Sequence, residues 1–344
     1  MVNSMPNLRA RTQKSGKVYY YFDTGAKPRK EIPLGSDYRE AVKKWLELSA
    51  MPAELASENF ADLADRYEAE VLPLKAKSTQ ATQRGDMKKL REFFCNPSPA
   101  PLNAIKPKHI YQMLQWAKDT PTTANRLKRL FSHMFNTARA WGWTECENPC
   151  TGIEGHSLGK RGIYISDLVY RSVYEYGNAP LRDAMDLAYL TGQRPGDVLS
   201  LTTENIIDGH LLIKQSKTSA PLRFVIEGAL NDLLERIAHR KSSCKVSVAS
   251  LLVNQQGRRM SKQMLRVAFE AARNAAAVGS EQAGNAVLAA DIRAFWFYDL
   301  RAKAADDVAD ERGELAASKQ LGHTSVQTTK RHYLRRGARI KATK

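Results

Sequence analysis

Pro149, Gly152, Gly155, Gly159 and Gly162 all fall between residues 148 and 162. No helix or strand runs through such a stretch, because glycine leaves the backbone too free and proline removes a hydrogen-bond donor. The chain is therefore divided there. A second division lies at 51–59, where MPAELASEN carries neither a helical nor a strand period. At 344 residues the chain exceeds an ordinary domain of roughly 100–150 residues. The two breaks bound three segments: 1–50, 57–147 and 163–344.

Each segment has its own pattern. Residues 7–13, 17–23 and 29–34 are strand-like, joined across Ser15-Gly16 and Thr24-Gly25, and the run VYYYF at 18–22 suits a strand. Ser36 or Asp37 caps a helix from about Tyr38 to Leu48, with Ala41, Trp45 and Leu48 along one side. The middle segment is helical. Phe60, Leu63, Ala64 and Tyr67 mark an amphipathic helix that Pro73 ends, and helices follow at about 79–94, 107–118 and 122–141. In the last of these, Leu127, Leu130, Phe131, Met134 and Phe135 form the apolar stripe. That leaves Asn125, Arg126, Lys128, Arg129 and Arg139 available to phosphates, although a generic bundle with a solvated charged face has the same pattern. The third segment is mostly helical around a predicted hairpin, 210–215 and 222–226, whose turn Ser216-Lys217-Thr218-Ser219 presents Lys217 at its tip. The expected fold is mainly α with small β elements, an α+β chain with a helical middle domain and a mixed third one.

Charge narrows what such a chain binds. Lys and Arg number 53 against 36 Asp and Glu, a net +17 that recurs along the whole sequence rather than in one tail. That distribution suits a polyanion held against several surfaces, most simply nucleic acid. A membrane-surface protein concentrates its cations on one helix or juxtamembrane cluster, and no run here is apolar enough to span a bilayer. The opening MVNSMPNLRARTQKSGK lacks the apolar core of a signal peptide, so a cytoplasmic location is expected. Cys95, Cys146, Cys150 and Cys244 form no zinc-like double pair and read as reduced thiols. No phosphate-binding glycine loop occurs, and Asp306, Asp307 and Asp310 read as a solvated helical face rather than a magnesium site, so no cofactor or metal is expected. In the first segment Arg9, Arg11, Lys14, Lys17, Lys27, Arg29 and Lys30 are opposed mainly by Asp23 and Glu31. Two readings stay open for them: a sheet laid in a DNA groove, or a sheet edge guarded by cations.

Three stretches of the third segment set cations beside probable turns: LTGQRPGDVLSL at 190–201, FYDLRAKAADD at 297–307 and LGHTSVQTTKRHYLRR at 321–336. Arg194, Lys217, Arg301 and His323 can converge on one phosphate, and arginine suits that role by forking onto two oxygens. Tyr333 lies among Lys330, Arg331, Arg335 and Arg336, where a phenolate forms more readily. Taken alone, it reads as well as an interface tyrosine.

In this order the motifs resemble the catalytic domain of the tyrosine recombinases, the phage-integrase family. Arg194 in TGQRPGDVLSL is similar to the first catalytic arginine, with Asp197 at the acidic support position. Lys217 in SKTS matches the hairpin lysine, Arg301 in YDLR the second arginine, His323 in LGHTS the signature histidine, and Tyr333 the nucleophile. The middle segment resembles the core-binding domain and the first segment the arm-binding modules of lambda-type integrases. The sequence departs from the pattern twice. Tyr298 stands where the family has histidine, and the run from His323 to Tyr333 is one residue longer than usual.

The resemblance implies a site-specific DNA recombinase that cuts and rejoins strands through a 3′-phosphotyrosine, integrating or excising a phage or other mobile element in a bacterial host. The arginines would stabilise charge on the non-bridging oxygens, Lys217 would protonate the leaving 5′-oxygen, and Tyr298 would donate a hydrogen bond to a phosphate oxygen. It also implies double-stranded DNA with core and arm sites, a homotetramer on that DNA, and a host bending protein and an excisionase as accessory partners. The basic tail, 334–344, is expected to dock on a neighbouring copy. A chromosome-dimer resolvase with the same chemistry, or a non-catalytic DNA-binding protein on the same scaffold, are the alternatives.

Overall fold

Alternation between basic and aromatic residues produces the first element, a three-stranded antiparallel sheet of β1 (Leu8–Thr12), β2 (Val18–Asp23) and β3 (Glu31–Gly35). The structure is a computed structural model, and it describes residues 8–13, 16–23, 31–48, 58–245, 248–337 and 343. In register, Arg9 faces Tyr21 and Arg11 faces Tyr19. Helix α1 (Tyr38–Leu48) covers the sheet and buries Ala41 with Leu34. Asp37 Oδ1 accepts the Glu40 amide at 3.0 Å, which selects Asp37 as the cap.

The helical elements that follow are α2 (Phe60–Glu70), α3 (Lys77–Phe94), α4 (Pro107–Trp116) and α5 (Pro121–Ala140). Asn59 caps α2 by accepting from the amides of Ala61 and Asp62, and Pro73 follows within a short 3-10 turn. Phe60, Phe94 and Phe131 lie within 5.7 Å of one another, ring centre to ring centre, at the middle of the core. The glycine-rich stretch after α5 behaves differently from a free linker. Asn148 Nδ2 donates to the Ser132 carbonyl and to Asn136 Oδ1, and Cys150 is buried against the helical core. The compact units divide only between Gly159 and Lys160. Side chains, rather than a backbone ladder, hold that stretch, so it shows no period.

The second unit runs through α6 (Asp167–Tyr176), α7 (Ala179–Thr191) and the single turn α8 (Pro195–Val198). It continues with a β4-β5-β6 sheet: β4 (Ile206–Ile207), β5 (His210–Lys214) and β6 (Pro221–Val225). Then come α9 (Gly228–Ser242), α10 (Lys262–Gln282), α11 (Ala286–Ala294), α12 (Asp299–Arg312), α13 (Glu314–Gln320) and α14 (Val326–His332). The β5–β6 hairpin agrees with the predicted one to within a residue at each end. Leu211 and Ile213 of β5 point into a core shared with α7 and α9. The short β4 was not expected, since two residues carry no readable period. Helix α12 is buried on most sides, and its lysine is paired inside the unit: Lys303, 2% exposed, meets Asp167 at 2.5 Å and Asp307 at 3.0 Å. No described helix is long and apolar enough to cross a membrane.

Candidate active site

Four turns bring the chemistry-bearing side chains of the second unit together. Gly192 ends α7 in the left-handed region, φ 65°, and Arg194 follows as the residue before α8. Gly322, also at φ 65°, turns the chain after α13 and delivers His323. Tyr298 immediately precedes α12, with Arg301 in its first turn. Tyr333 closes α14, its amide donating to the Thr329 carbonyl at 2.8 Å.

Arg301 is the centre of the arrangement. It is 1% exposed, and no carboxylate among the described residues pairs with it. Nη1 donates to the Gly192 carbonyl at 2.6 Å, and Nη2 to the Leu321 carbonyl at 2.8 Å and toward His323 Nε2 at 3.1 Å. Its Nε is buried without a partner. Because Arg301 can only donate, His323 Nε2 must accept, and the imidazole proton sits on Nδ1, 2.8 Å from Thr329 Oγ1. Burial, then Arg301 and Arg194, push the His323 pKa down to about 4. His323 is therefore neutral at physiological pH and a weak base.

The hydroxyls of Tyr298 and Tyr333 lie 2.8 Å apart. Burial and the bond to Tyr333 push Tyr298 up to about 12. Burial also disfavours the Tyr333 phenolate, but the bond from Tyr298 and the charge of Arg301 outweigh it and bring Tyr333 below its ordinary value. Either hydroxyl can donate in this bond while both tyrosines are neutral, and once Tyr333 is the phenolate Tyr298 is the donor. The side chain leaving the start of α12 thus meets the tyrosine that closes α14. Only part of the aromatic run before this helix packs into the core. Phe295 and Phe297 are buried, whereas Trp296 is 54% exposed under the Arg161 guanidinium at 3.9 Å.

Replacing Tyr298 by phenylalanine removes one neutral hydrogen bond, expected to lower the cleavage rate by roughly 10-fold. Since that bond lowers the Tyr333 pKa, the pH–rate profile of the variant should also move to higher pH. In the wild type, His323 should contribute no inflection between pH 6 and 7.5. Single-turnover cleavage across pH 5.5–9.5 checks both, and an unchanged rate and profile in Tyr298→Phe would reduce this residue to packing.

Arg194 reaches Gln215 Oε1 at 3.3 Å and Asp197 at 3.8 Å. Asp197 in turn accepts the amide and hydroxyl of Ser216, tying the hairpin turn to α8. Lys217 is exposed at that turn and touches none of the other five. Four residues of the site escaped sequence reading: Gln193, Gln215, Thr329 and Asp299. Asp299 is wholly buried between Arg161, at 2.8 Å, and Arg335, at 2.7 Å. The only signal for any of them was adjacency to a recognised motif.

The acidic run of α12 is corrected. Asp306 is 3% exposed rather than solvated, and it accepts the backbone amides of Arg335 and Arg336, while Asp307 and Asp310 take the Arg336 guanidinium. Residues 335 and 336 are thus held to α12 of their own chain, by Asp306 at the backbone and by Asp307 and Asp310 at the Arg336 guanidinium, while residues 338–342 and 344 of the tail lie outside the described residues.

Several residues expected to face phosphate are engaged otherwise. Asn125 is bonded to the backbone of His156 through both amide atoms, at 2.8 and 2.7 Å. Arg126 forks onto Asp86 at 2.6 and 2.7 Å, since a carboxylate only 2% exposed needs a counter-ion. Lys128 donates to the Ile153 carbonyl. Arg129 remains exposed beside the groove shared with Lys75, Thr79 and His133. In the sheet, Arg9 pairs with Asp23 at 3.0 Å and Arg11 with Glu31 at 2.8 Å, both about half exposed. Lys27, Arg29 and Lys30 lie outside the described residues.

Comparison with known proteins agrees with this geometry. Residues 166–338 match the model of the phage integrase family. The integrase of Escherichia phage HK022 is 27% identical over 353 aligned positions, covering 96% of this chain and 94% of that protein. Among solved structures, a lambda integrase dimer bound to a COC′ core site superposes with a TM-score of 0.68 at 21% identity, over 100% of this chain and 99% of that one. A lambda integrase tetramer bound to a Holliday junction superposes equally, at 0.68 and 20% identity over the same shares. These two likenesses are of fold. With the family match spanning half the sequence and the tyrosine, arginines and histidine of the motifs gathered at one site, the chain belongs to the phage integrase family and is a tyrosine site-specific recombinase.

Proposed function

We propose that Tyr333 is the nucleophile of this recombinase and that Arg194, Lys217, Arg301, His323 and Tyr298 serve it. The observation that carries this reading is Arg301: a buried guanidinium with no carboxylate partner among the described residues and an unsatisfied N–H, its carbon 5.1 Å from the centre of the Tyr333 ring. Such a group is costly unless an anion completes it, and a phosphodiester supplies that anion. Tyr333 loses its proton to solvent and, as phenolate, attacks phosphorus while the P–O5′ bond breaks. Arg194 and Arg301 stabilise the charge on the non-bridging oxygens, and Lys217 gives its proton to the departing 5′-oxygen. His323, neutral, orients Arg301 rather than removing the tyrosine proton. The 3′-phosphotyrosine retains the phosphodiester energy for rejoining, and no nucleotide hydrolysis is called for. Trapping a covalent adduct on a nicked suicide substrate, and locating it by peptide mapping, tests the assignment. An adduct elsewhere than Tyr333 would refute it.

Three bodies would divide the work: 1–50 for arm-type sites, 57–147 for one face of the core site, and 163–344 for chemistry and the other face. The basic, aromatic sheet supports the first, with Arg9 and Arg11 as its DNA contacts together with Lys27, Arg29 and Lys30. Arg129 is the strongest of the middle-domain candidates. Lambda integrase has been solved as a tetramer on a Holliday junction, and we infer a homotetramer on two DNA sites here. A host bending protein and an excisionase would bridge arm and core sites, for a phage or related element in a bacterial cytoplasm. Deleting residues 1–50 is expected to leave adduct formation at a core site within about 3-fold while impairing integrative recombination at least 10-fold, the scale of lost bivalent binding. Identical footprints from the full-length and truncated proteins on attachment-site DNA would remove the arm-binding role.

A further inference from the structure

One buried amide joins three segments of the site. Gln215 is 1% exposed and uses all its hydrogen-bonding capacity. Nε2 donates to Gln193 Oε1 at 2.7 Å and to the Leu321 carbonyl at 2.8 Å. Oε1 accepts from Thr218 Oγ1 at 2.6 Å and from Arg194 Nη1 at 3.3 Å. The orientation of the amide is not arbitrary, since a carbonyl only accepts and an arginine only donates.

The partners belong to three working parts, Gln193 and Arg194 sharing one turn. Arg194 is the first arginine, and Thr218 is the neighbour of Lys217 in the hairpin turn. Leu321 offers the same carbonyl to Arg301, two residues before His323. The fit is tight as well. A Cβ on Gly322 would come within 2.9 Å of Gln215 Nε2, so the left-handed glycine there also makes room for this side chain. The backbone of Gln215 closes the turn itself, its amide donating to Ala220 and its carbonyl accepting from Ser219. Lys217, by contrast, is exposed with no bonded partner among the described residues. Its aim toward the leaving oxygen must come from the turn that carries it.

We propose that Gln215 is a positioning residue that locks the Lys217 hairpin to Arg194 and to the Arg301–Leu321 contact, so that the proton donor is registered against the phosphate the arginines hold. This rests on the reading of Lys217 as the leaving-group acid. The chemistry allows the two to be separated. In the natural reaction the Tyr333 Oη–P bond forms, the P–O5′ bond breaks and O5′ takes a proton from Lys217. With sulfur at the bridging 5′ position, the P–S bond breaks and a thiolate departs as a stable anion, with no proton needed.

The experiment is single-turnover cleavage by the full chain of paired suicide substrates, 5′-oxygen and 5′-bridging sulfur. Lys217→Ala should lose about 100-fold or more on the oxygen substrate, the usual share of a general acid, and recover to within about 5-fold of wild type on sulfur. Gln215→Ala should lose roughly 10- to 100-fold on oxygen and recover likewise on sulfur, a response that generic destabilisation of the fold would not give. Thr218→Val removes one bond to the amide from an exposed turn. It should show the same rescue with a loss of roughly 3- to 10-fold, and serves as the readout if Gln215→Ala fails to fold. Rescue of Lys217→Ala but not of Gln215→Ala or Thr218→Val would overturn the positioning role alone. Failure to rescue Lys217→Ala would overturn the acid assignment and the proposal with it.

Discussion

Tyr333→Phe is expected to bind attachment-site duplex as the wild type does and to form no covalent adduct at all. The substitution removes one oxygen and leaves the ring, which packs with Ala302, Ala305, Ala317 and Leu321 beneath the Arg301 guanidinium. Neither the fold nor the basic surfaces that hold DNA depend on that oxygen, so the loss falls on chemistry. Covalent catalysis has no partial form once the nucleophile is gone. The result is not trivial here, because Tyr298 places a second phenol 2.8 Å from the first. Its pKa, pushed up to about 12, keeps it protonated and a poor nucleophile at neutral pH. Gel-shift titration and adduct formation on a nicked substrate, followed by mass mapping, decide the matter. A phosphopeptide containing Tyr298 or His332 would contradict the assignment.

Removing either arginine should slow cleavage by about 100-fold or more at saturating protein, the usual cost of one transition-state electrostatic donor. The two variants should differ in what else they disturb. The Arg194 side chain is partly exposed and its contacts are long, 3.3 Å to Gln215 and 3.8 Å to Asp197. Arg194→Ala should therefore fold and bind DNA normally. Arg301 is fully buried and bonds the Gly192 and Leu321 carbonyls, so Arg301→Ala leaves a cavity and strips the Gly192 carbonyl of its donor, while Leu321 keeps only its bond from Gln215. A fall in thermal midpoint is expected for it alone. Arg301→Lys, which keeps the charge and part of the volume, should restore stability better than rate, because a point charge cannot reproduce the fork. Rates recovered by raising the protein concentration would instead assign the arginines to binding.

Much of this molecule was legible as pattern. Periods of two and 3.6 located five of the six strands and the helices of the first two segments, because each buries one face, and glycine turns before Arg194 and His323 marked where cations leave regular structure. The tyrosine, the arginines, the hairpin lysine and the histidine were readable because each sits in a short motif of fixed spacing. The roles of Asp306, Asp86 and Gln215 were not. A carboxylate on a helix looks the same whether it meets water, as expected for Asp306, or the amides of Arg335 and Arg336, as found. Likewise nothing near Arg126 in sequence announces that Asp86, forty residues earlier, will take its fork.

The sequence by itself determined the secondary structure, the basic character and the inventory of reactive groups, since these depend on local propensity, composition and spacing. Tertiary structure alone decided which groups act on which. It turned the Tyr298 hydroxyl toward Tyr333 and left Arg301 without an acidic partner. It also made His323 neutral by burying it beside two cations, and joined the hairpin to the arginines through one amide. Those outcomes depend on distances of about 3 Å between residues twenty to more than a hundred positions apart. Hydrogen bonds and pKa values respond to such distances through burial and charge, and neither is written in the local order of residues.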